Sequence, residues 1–475
     1  MMMIHVKSNN SLRYHVYHMI TLFYPASQIQ YLDEDDKENG DIEVFVSGEV
    51  LRIKFFEEEE SLAYPDETLN IMRRALFKRL RSRTGKHLPW GILIGIRPSK
   101  IVRELIEKGY SKECIVKEMT AEYLADEDKI LLAYEVALKE SEILLSVNIE
   151  DSCDLYIGMP FCPSRCVYCS FASNVYLGNQ YKDRYLALLK REMQQISEYL
   201  TEHKITVQHL YFGGGTPTAV SDEEFEEVME SIDALFLSVH PIREFTVEAG
   251  RVDSITAKKL QSMKNHHTTR ISINPQSMKD ETLRIIGRNH NREKVLSVFK
   301  MAREMGFDNI NMDLILGLPG ESFMDVKNTL ADLEMLRPES ITVHGLAIKR
   351  ASILYEDFIL EKKYQLPQQE EMNRMYAETD QCARKMGLKP YYMYRQKNMV
   401  GNHENVGYAR EGFENYYNMV MIEEVKTIIA MGADGVTKKV KDGKIQRFAN
   451  FKGLNDYTER FEEMMEKKLQ FLQKE

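Results

Sequence analysis

Between residues 153 and 346 the chain alternates six times between a short β-rich run and a longer helical stretch, a rhythm that few folds accept. The β-rich runs fall near 153–158, 206–212, 244–248, 269–273, 309–315 and 340–346. Between the first two, Tyr185 to Leu200 carries an apolar stripe through Leu188, Leu189, Met193, Ile196 and Leu200, the spacing of one helix face. Repeated alternation of this kind predicts an α/β core with parallel strands. In β/α barrels the chemistry collects at the C-terminal strand ends.

Directly after the first run comes Met-Pro-Phe-Cys-Pro-Ser-Arg-Cys-Val-Tyr-Cys-Ser-Phe, with Cys162, Cys166 and Cys169 spaced Cys-x3-Cys-x2-Cys. Thiolates are the usual ligands of iron–sulfur clusters, and three of them hold three corners of a four-iron cluster while leaving one iron free. Structural zinc is the alternative, and it normally takes four closed ligands. No fourth cysteine is close; Cys153 lies upstream, within the expected strand.

Other chemistry-bearing segments also sit at expected strand ends. Gly213-Gly214-Gly215-Thr216-Pro217-Thr218 follows His209-Leu210-Tyr211-Phe212. Glycines at such a point let the backbone pass close to a ligand and expose its amides, although an ordinary strand–helix turn reads the same way. Glu248 closes Phe245-Thr246-Val247, where a carboxylate accepts hydrogen bonds from hydroxyls or an amine. The bland alternative is a surface glutamate. Asp313 lies inside the apolar run Met312 to Leu316, and a buried carboxylate is costly unless paired or hydrogen-bonded.

Length and composition bound the rest. A chain of 475 residues has room for two or three domains. With 43% hydrophobic and 29% charged residues it reads as soluble and globular, and a net charge of −10 disfavours nucleic acid or an anionic membrane as partner. Six cysteines, three of them in the motif, suit a reducing cytoplasm. There is no apolar run of membrane-spanning length and no signal-peptide pattern at the start. Residues 1–150 read as an α+β domain. Ile42, Val44 and Val46, then Leu51, Ile53 and Phe55, alternate about Ser47-Gly48 as a hairpin does. Glu57 to Glu60 reads as a solvated loop, and Leu69, Met72, Leu76 and Leu80 as a helix stripe ending at Gly85. The other face of that helix, with Arg73, Arg74, Lys78, Arg79, Arg81 and Arg83, is either solvated or a nucleic-acid contact; no aromatic interleaving supports base stacking. Residues 104–146 read as further helix. Residues 151–350 hold the strand–helix core, and 351–475 a mixed extension with helices near 366–386 and 455–473 around the polar-aromatic segment Tyr391 to Tyr408.

Together the cysteine spacing, the triple glycine and Asn311-Met312-Asp313-Leu314-Ile315-Leu316-Gly317-Leu318-Pro319-Gly320-Glu321 resemble the radical S-adenosylmethionine (SAM) enzymes. More narrowly, the chain resembles the oxygen-independent coproporphyrinogen III oxidase family, in the HemZ-type branch that carries an extra N-terminal domain. The resemblance implies a partial (β/α)6 barrel. It also implies a [4Fe-4S] cluster on Cys162, Cys166 and Cys169, with SAM chelating the unique iron. One electron from the cluster then cleaves SAM to methionine and a 5′-deoxyadenosyl radical. By match to the family's motifs, Tyr156, Phe171, Gly214, Gly215, Thr216, Glu248, Gln276, Arg288 and Asp313 contact SAM. Two stretches depart from the family pattern: Ala249-Gly250-Arg251 stands where an Asp-Pro or Asn-Pro turn is usual, and Asn274-Pro275 replaces Gly-Val.

The family reaction converts two propionates of coproporphyrinogen III to vinyls, giving protoporphyrinogen IX, and implies a low-potential flavodoxin or ferredoxin as electron donor. Such a tetracarboxylate substrate asks for cations, for which Lys349, Arg350, Arg395 and Lys397 are candidates, and for flat aromatic surface such as Tyr391 to Tyr394. HemW-type relatives instead bind and deliver haem, and carry His-Asn-x-x-Tyr-Trp. Here Asn405 and Tyr408 fit that pattern, while His403 is displaced and the tryptophan is absent. His344 and His403 are the candidate axial ligands under that reading. Another radical SAM reaction on a tetrapyrrole, including haem ring opening, stays open beside both.

Overall fold

Alternating apolar residues build a first small sheet. Strands β1 (Ile4–Ser8), β2 (Ile29–Tyr31), β3 (Ile42–Ser47), β4 (Val50–Phe55) and β5 (Glu58–Ala63) lie in the order β2-β1-β3-β4-β5. The structure, a computed structural model, describes residues 3–34, 36, 38–65, 69–147, 151–171, 173–349, 352–355, 365–397 and 399–474. The expected hairpin is β3–β4, turned at Gly48 with φ of 59°. Its inward residues Ile42, Val44, Leu51, Ile53 and Phe55 pack under Met72, Leu76 and Leu80 of the helix Leu69–Thr84.

The acidic run expected as a loop is instead the edge strand β5. Glu59 faces Lys54 across the ladder, and Glu60 pairs with Arg79. Charges along an edge strand block edge-to-edge association, so a charge run and a strand are compatible there. The basic helix face is largely spent inside the domain: Arg74 pairs with Glu122, and Arg73 contacts Asn70 at 3.2 Å and His15 at 2.9 Å.

The helical stretch that follows is three helices, Pro98–Glu107, Lys112–Tyr123 and Glu127–Leu145. Gly109 at φ 82° and Leu124 at φ 56° terminate the first two. Their buried residues Val102, Ile115, Met119, Ile130, Val136 and Ala137 belong to one apolar core that runs through the strands of the main sheet to Leu472. The core of the first sheet ends at Ile92.

The remaining strands are β6 (Ser152–Met159), β7 (Phe161–Cys162), β8 (Asn174–Val175), β9 (Thr206–Gly214), β10 (Glu244–Gly250), β11 (Arg270–Ile273), β12 (Ile310–Leu316), β13 (Ser340–Gly345), β14 (Lys389–Tyr394), β15 (Asn405–Ala409), β16 (Ile428–Met431), β17 (Val436–Lys441) and β18 (Lys444–Ala449). Apart from the β7–β8 ribbon they form one sheet of eleven strands, ordered β14-β15-β13-β12-β11-β10-β9-β6-β16-β17-β18. The six strands expected from sequence are its uninterrupted parallel centre, with helices between them. Its two outer strands do not pair with each other, so the α/β barrel is partial. The C-terminal extension lengthens both edges. β15 and β14 add antiparallel beyond β13, while β16 adds parallel beside β6 and carries the β17–β18 hairpin. Buried Lys426 ties that second edge down, reaching Asp154 Oδ1 at 2.9 Å, while Asp154 Oδ2 holds His209 at 3.0 Å. Among the described residues no helix is long and apolar enough to cross a membrane.

A buried polar knot joins the first helical segment to the C-terminal strands. Trp90 Nε1 donates to Glu404 Oε2 at 2.6 Å, and Lys129 Nζ to Glu404 Oε1 at 2.7 Å. Arg395 lies over the Trp90 ring at 5.3 Å and donates to the carbonyls of Leu93, Asn402 and His403 at 2.7, 2.8 and 3.2 Å. His403 stacks on Tyr376 with ring centroids 3.9 Å apart, and its Nε2 meets Asn373 Oδ1 at 2.9 Å. Burial opposes charge on Glu404, but Lys129 and His403 together outweigh it and hold the carboxyl well below its usual range. Removing one partner of a buried pair strands the other charge. Lys129→Met is therefore expected to cost about 3–5 kcal/mol. Urea unfolding measures this, and an unchanged midpoint would refute the pair's role.

Candidate active site

Strand pleat and helix cover together select the lumen-facing residues. Tyr156, Glu248, Asp313 and His344 are each the single water-accessible position on the otherwise buried strands β6, β10, β12 and β13. Tyr211 on β9 and Tyr394 at the end of β14 are likewise partly accessible. Tyr156 stacks on Tyr211 at 6.2 Å, Tyr211 on Tyr417 at 4.9 Å, and Tyr392 on Tyr394 at 6.5 Å. These phenols and the two carboxylates together line one partly accessible inner side of the sheet, the chamber.

Asp313 is oriented from below. Arg270 Nη2 (3.2 Å), Ser340 Oγ (3.1 Å) and Thr342 Oγ1 (3.2 Å) all donate to Asn311 Oδ1. That leaves Asn311 Nδ2 to donate to Asp313 Oδ1 at 2.7 Å. His344 Nε2 lies 3.8 Å from Asp313 Oδ2, and its Nδ1 lies 3.4 Å from the Tyr394 hydroxyl. Burial works to raise the Asp313 carboxyl, but the contacts from His344 and Asn311 outweigh it and hold it below its ordinary value. Glu248 behaves oppositely. Burial first, then the Asp313 charge, push its carboxyl up to about 8, against hydrogen bonds from the Gly214 amide and the Tyr211 hydroxyl.

The cysteine loop closes over one end of this chamber. The β7–β8 ribbon pinches its base, with Asn174 N donating to Pro160 O at 2.8 Å and Tyr176 N to Cys162 O at 3.0 Å. The segment Ile286-Gly287-Arg288 supports its middle: Val167 N donates to Ile286 O at 3.2 Å, and Ser164 Oγ to Gly287 O at 2.9 Å. Gly287 has φ of 77°, and a Cβ there would stand 3.1 Å from Arg165 O, so this contact demands glycine. The triple glycine is squeezed in the same way. A Cβ on Gly213 would lie 2.7 Å from Glu248 Oε2, and one on Gly215 would lie 2.7 Å from Phe161 O and 3.1 Å from Cys162 Sγ.

Cys162 and Cys166 are buried and Cys169 half-buried, and Cys166 lies near enough to both of the others to help raise their thiols. Burial is the main cause of a rise to about 12 at Cys162, with Thr216 Oγ1, 3.5 Å from its Sγ, acting against it. Among the described residues no group of three His, Cys, Asp or Glu is placed to hold a single metal ion. Three thiols spread about one small volume suit the corners of a cluster better than a zinc tetrahedron. Beside them, buried Asn274 Oδ1, Gln276 Oε1 and Arg288 Nε lack partners among the described residues, although each side chain is enclosed. Gln276 is held at φ 67° because its amide donates to Asp313 O and its carbonyl accepts from Ile315 N, each at 3.0 Å. Arg288 donates to Asn274 O at 2.8 Å and to the Tyr168 hydroxyl at 3.0 Å. Donors and acceptors left open in this way fit a small zwitterionic ligand such as SAM next to the thiols.

The fold gathers Tyr156, Gly214, Gly215, Thr216, Glu248, Gln276, Arg288 and Asp313 around the cysteines and the chamber; Phe171 is the exposed member of the expected set, at 72%. Arg395 and His403 belong to the buried knot, which removes one expected substrate cation and one expected haem ligand. Lys397 contacts Tyr14 of the small domain, and Arg350 lies outside the described residues. Sequence reading missed Tyr211, which its place two residues before the triple glycine at a strand end could have marked, and the part played by Arg251. Buried Arg251 donates to Ser164 O at 2.8 Å and approaches Cys166 Sγ at 3.6 Å.

The raised Glu248 carboxyl has a consequence for the ligand-free protein. This group ionises near 4.5 in the unfolded chain but near 8 when folded, so its stabilising effect is complete below about 4.5 and is lost as pH rises to about 8. Glu248→Gln is expected to resist urea better than the parent at pH 8, with the gap closing toward pH 4.5. A gap independent of pH would refute this.

The sequence family described as the Radical SAM superfamily matches residues 156–333. Over 472 residues the chain is 39% identical to the "Oxygen-independent coproporphyrinogen-III oxidase-like protein HemZ" of Bacillus subtilis, covering 95% of this chain and 94% of that protein. It is 30% identical over 264 residues to the "Heme chaperone HemW" of the same organism, covering 56% of this chain and 65% of that one. Among solved structures, the coproporphyrinogen III oxidase HemN of Escherichia coli superposes with a TM-score of 0.53 at 21% identity, over 68% of this chain and 73% of that one. HemN supports the fold, and the near full-length likeness to HemZ supports the family. The chain belongs to the radical SAM superfamily, whose cofactors are a [4Fe-4S] cluster and SAM, and within it to the oxygen-independent coproporphyrinogen III oxidase-like group.

Proposed function

We propose that the protein carries out the anaerobic oxidative decarboxylation of coproporphyrinogen III to protoporphyrinogen IX. The observation that carries this reading is the set of partly accessible phenols and carboxylates gathered beside the three-cysteine loop. Flat tyrosine faces suit a macrocycle, and lumen carboxylates suit its pyrrole N–H donors. The full-length relative named an oxidase-like protein supports the same substrate class.

Under this proposal Cys162, Cys166 and Cys169 hold the cluster. Gly214, Gly215 and Thr216 admit the amino-acid end of SAM, which Gln276 and Arg288 also meet. Glu248 and Asp313 accept from its hydroxyls or amine, and Tyr156 flanks it. When bound, the cluster and SAM supply abstraction of a hydrogen atom from a propionate β-carbon. The loss of carbon dioxide and one further electron to an acceptor then leaves a vinyl group. Lys349, half-buried beyond β13, is the described candidate for a substrate carboxylate. A low-potential flavodoxin or ferredoxin is the proposed electron donor.

Accessible His344 favours a second reading, in which the chamber takes haem through that imidazole. An anaerobic assay with SAM, reductant and coproporphyrinogen III separates the two. The proposal expects 5′-deoxyadenosine and vinyl products together. 5′-Deoxyadenosine without decarboxylation would overturn the substrate, and a haem spectrum lost in His344→Ala would favour the second reading. Cys166→Ala is expected to abolish 5′-deoxyadenosine formation, and full activity in that variant would overturn the radical mechanism. Asp313→Ala is expected to weaken SAM binding about tenfold or more, the loss of a charge-assisted hydrogen bond, measured by equilibrium dialysis.

A further inference from the structure

The departure Ala249-Gly250-Arg251 has a structural counterpart. Pairing between β10 and β11 slips between Val247 and Gly250, and Gly250 takes φ of 68°. An irregularity of this kind re-aims the side chain that follows it. Arg251 is fixed at both ends. Its carbonyl accepts from Ser254 N at 3.0 Å and from Ser254 Oγ at 2.9 Å. Its guanidinium is forked onto Asp253, Nε to Oδ1 at 3.0 Å and Nη2 to Oδ2 at 2.7 Å. The remaining nitrogen, Nη1, is thereby aimed at Ser164 O and Cys166 Sγ.

We propose that Arg251, aimed by Asp253, is a positioning residue that presets the cysteine loop and raises the reduction potential of the cluster bound there. This rests on the cluster assignment of the proposed function. An N–H donor and a positive charge beside a ligand sulfur favour the more negative, reduced state, and a carboxylate nearby opposes it. The two residues therefore act with opposite sign, which a purely structural clamp would not do.

Redox titration of the reconstituted full-length protein, followed by electron paramagnetic resonance, tests this. Arg251→Met is expected to lower the reduction equilibrium about tenfold, a shift of about 59 mV to more negative potential for one electron. Asp253→Asn, which keeps an acceptor for Nε, is expected to shift it the other way, and Arg251→Lys to recover part of the loss. Unmoved potentials, or shifts of both variants in one direction, would overturn the proposal. If the variants take up no iron, alkylation of Cys166 in the metal-free chains decides, with exposed Cys114 as internal reference. Several-fold faster labelling in Arg251→Met supports the preset loop, and an unchanged rate overturns it. A wild-type protein that binds no iron would instead overturn the cluster assignment, while the alkylation comparison would still test the clamp.

Discussion

A parallel sheet covered by helices leaves its polar side chains one place to go, the lumen. Successive residues on a strand face opposite sides, so a slip of one position would drive Asp313 or Glu248 into the apolar layer beneath the helices. The observed register avoids that penalty on each strand that carries a lumen group, and it is what brings the phenols, carboxylates and imidazole to one level. Even there a charge needs partners. Asn311 meets that need for Asp313 because Arg270, Ser340 and Thr342 saturate its carbonyl and turn its amide toward the carboxylate. The chemistry of the chamber thus depends on a buried arginine that never reaches it.

The second constraint is backbone proximity. The cysteine loop lies against Ile286-Gly287 on one side and the triple glycine on the other, at separations that leave no room for a Cβ on Gly215 and a tight, left-handed fit at Gly287. Glycines that look like simple turn formers are needed because two chain segments and a thiol share the space. The outlying segments serve this centre indirectly. The knot around Trp90, Glu404 and Arg395 fixes the C-terminal strands against the preceding helices, and β14 in turn presents Tyr394 to His344.

Much of this was legible in the chain. The six central strands announced themselves by alternation with helices, and the motif residues by their place at strand ends. The additions at the sheet edges were harder to see. Ile428–Met431 is four residues long, and Tyr391 to Tyr394 reads as aromatic surface until its pairing with β15 is known. The β17–β18 hairpin did carry a signal, Asp442-Gly443, which takes the left-handed turn that such pairs favour. Arg395 and His403 resembled free cation and ligand because the groups that enclose them, Leu93 O and the Trp90 and Tyr376 rings, come from other elements of the fold. Arg251 was opaque for the same reason: Cys166 is 85 residues away along the chain.

The position of β16 bears on how such a protein is made. β6 carries the strand edge next to the cysteine loop, yet its outer neighbour is β16, and the buried Lys426–Asp154 contact that secures the seam joins residues 272 apart. During synthesis every cofactor motif leaves the ribosome well before that neighbour exists. Until it arrives, one edge of the barrel presents unpaired amides and carbonyls beside the nascent metal site. The seam that shelters the β6 edge is thus closed only once residues 426–431 have been made.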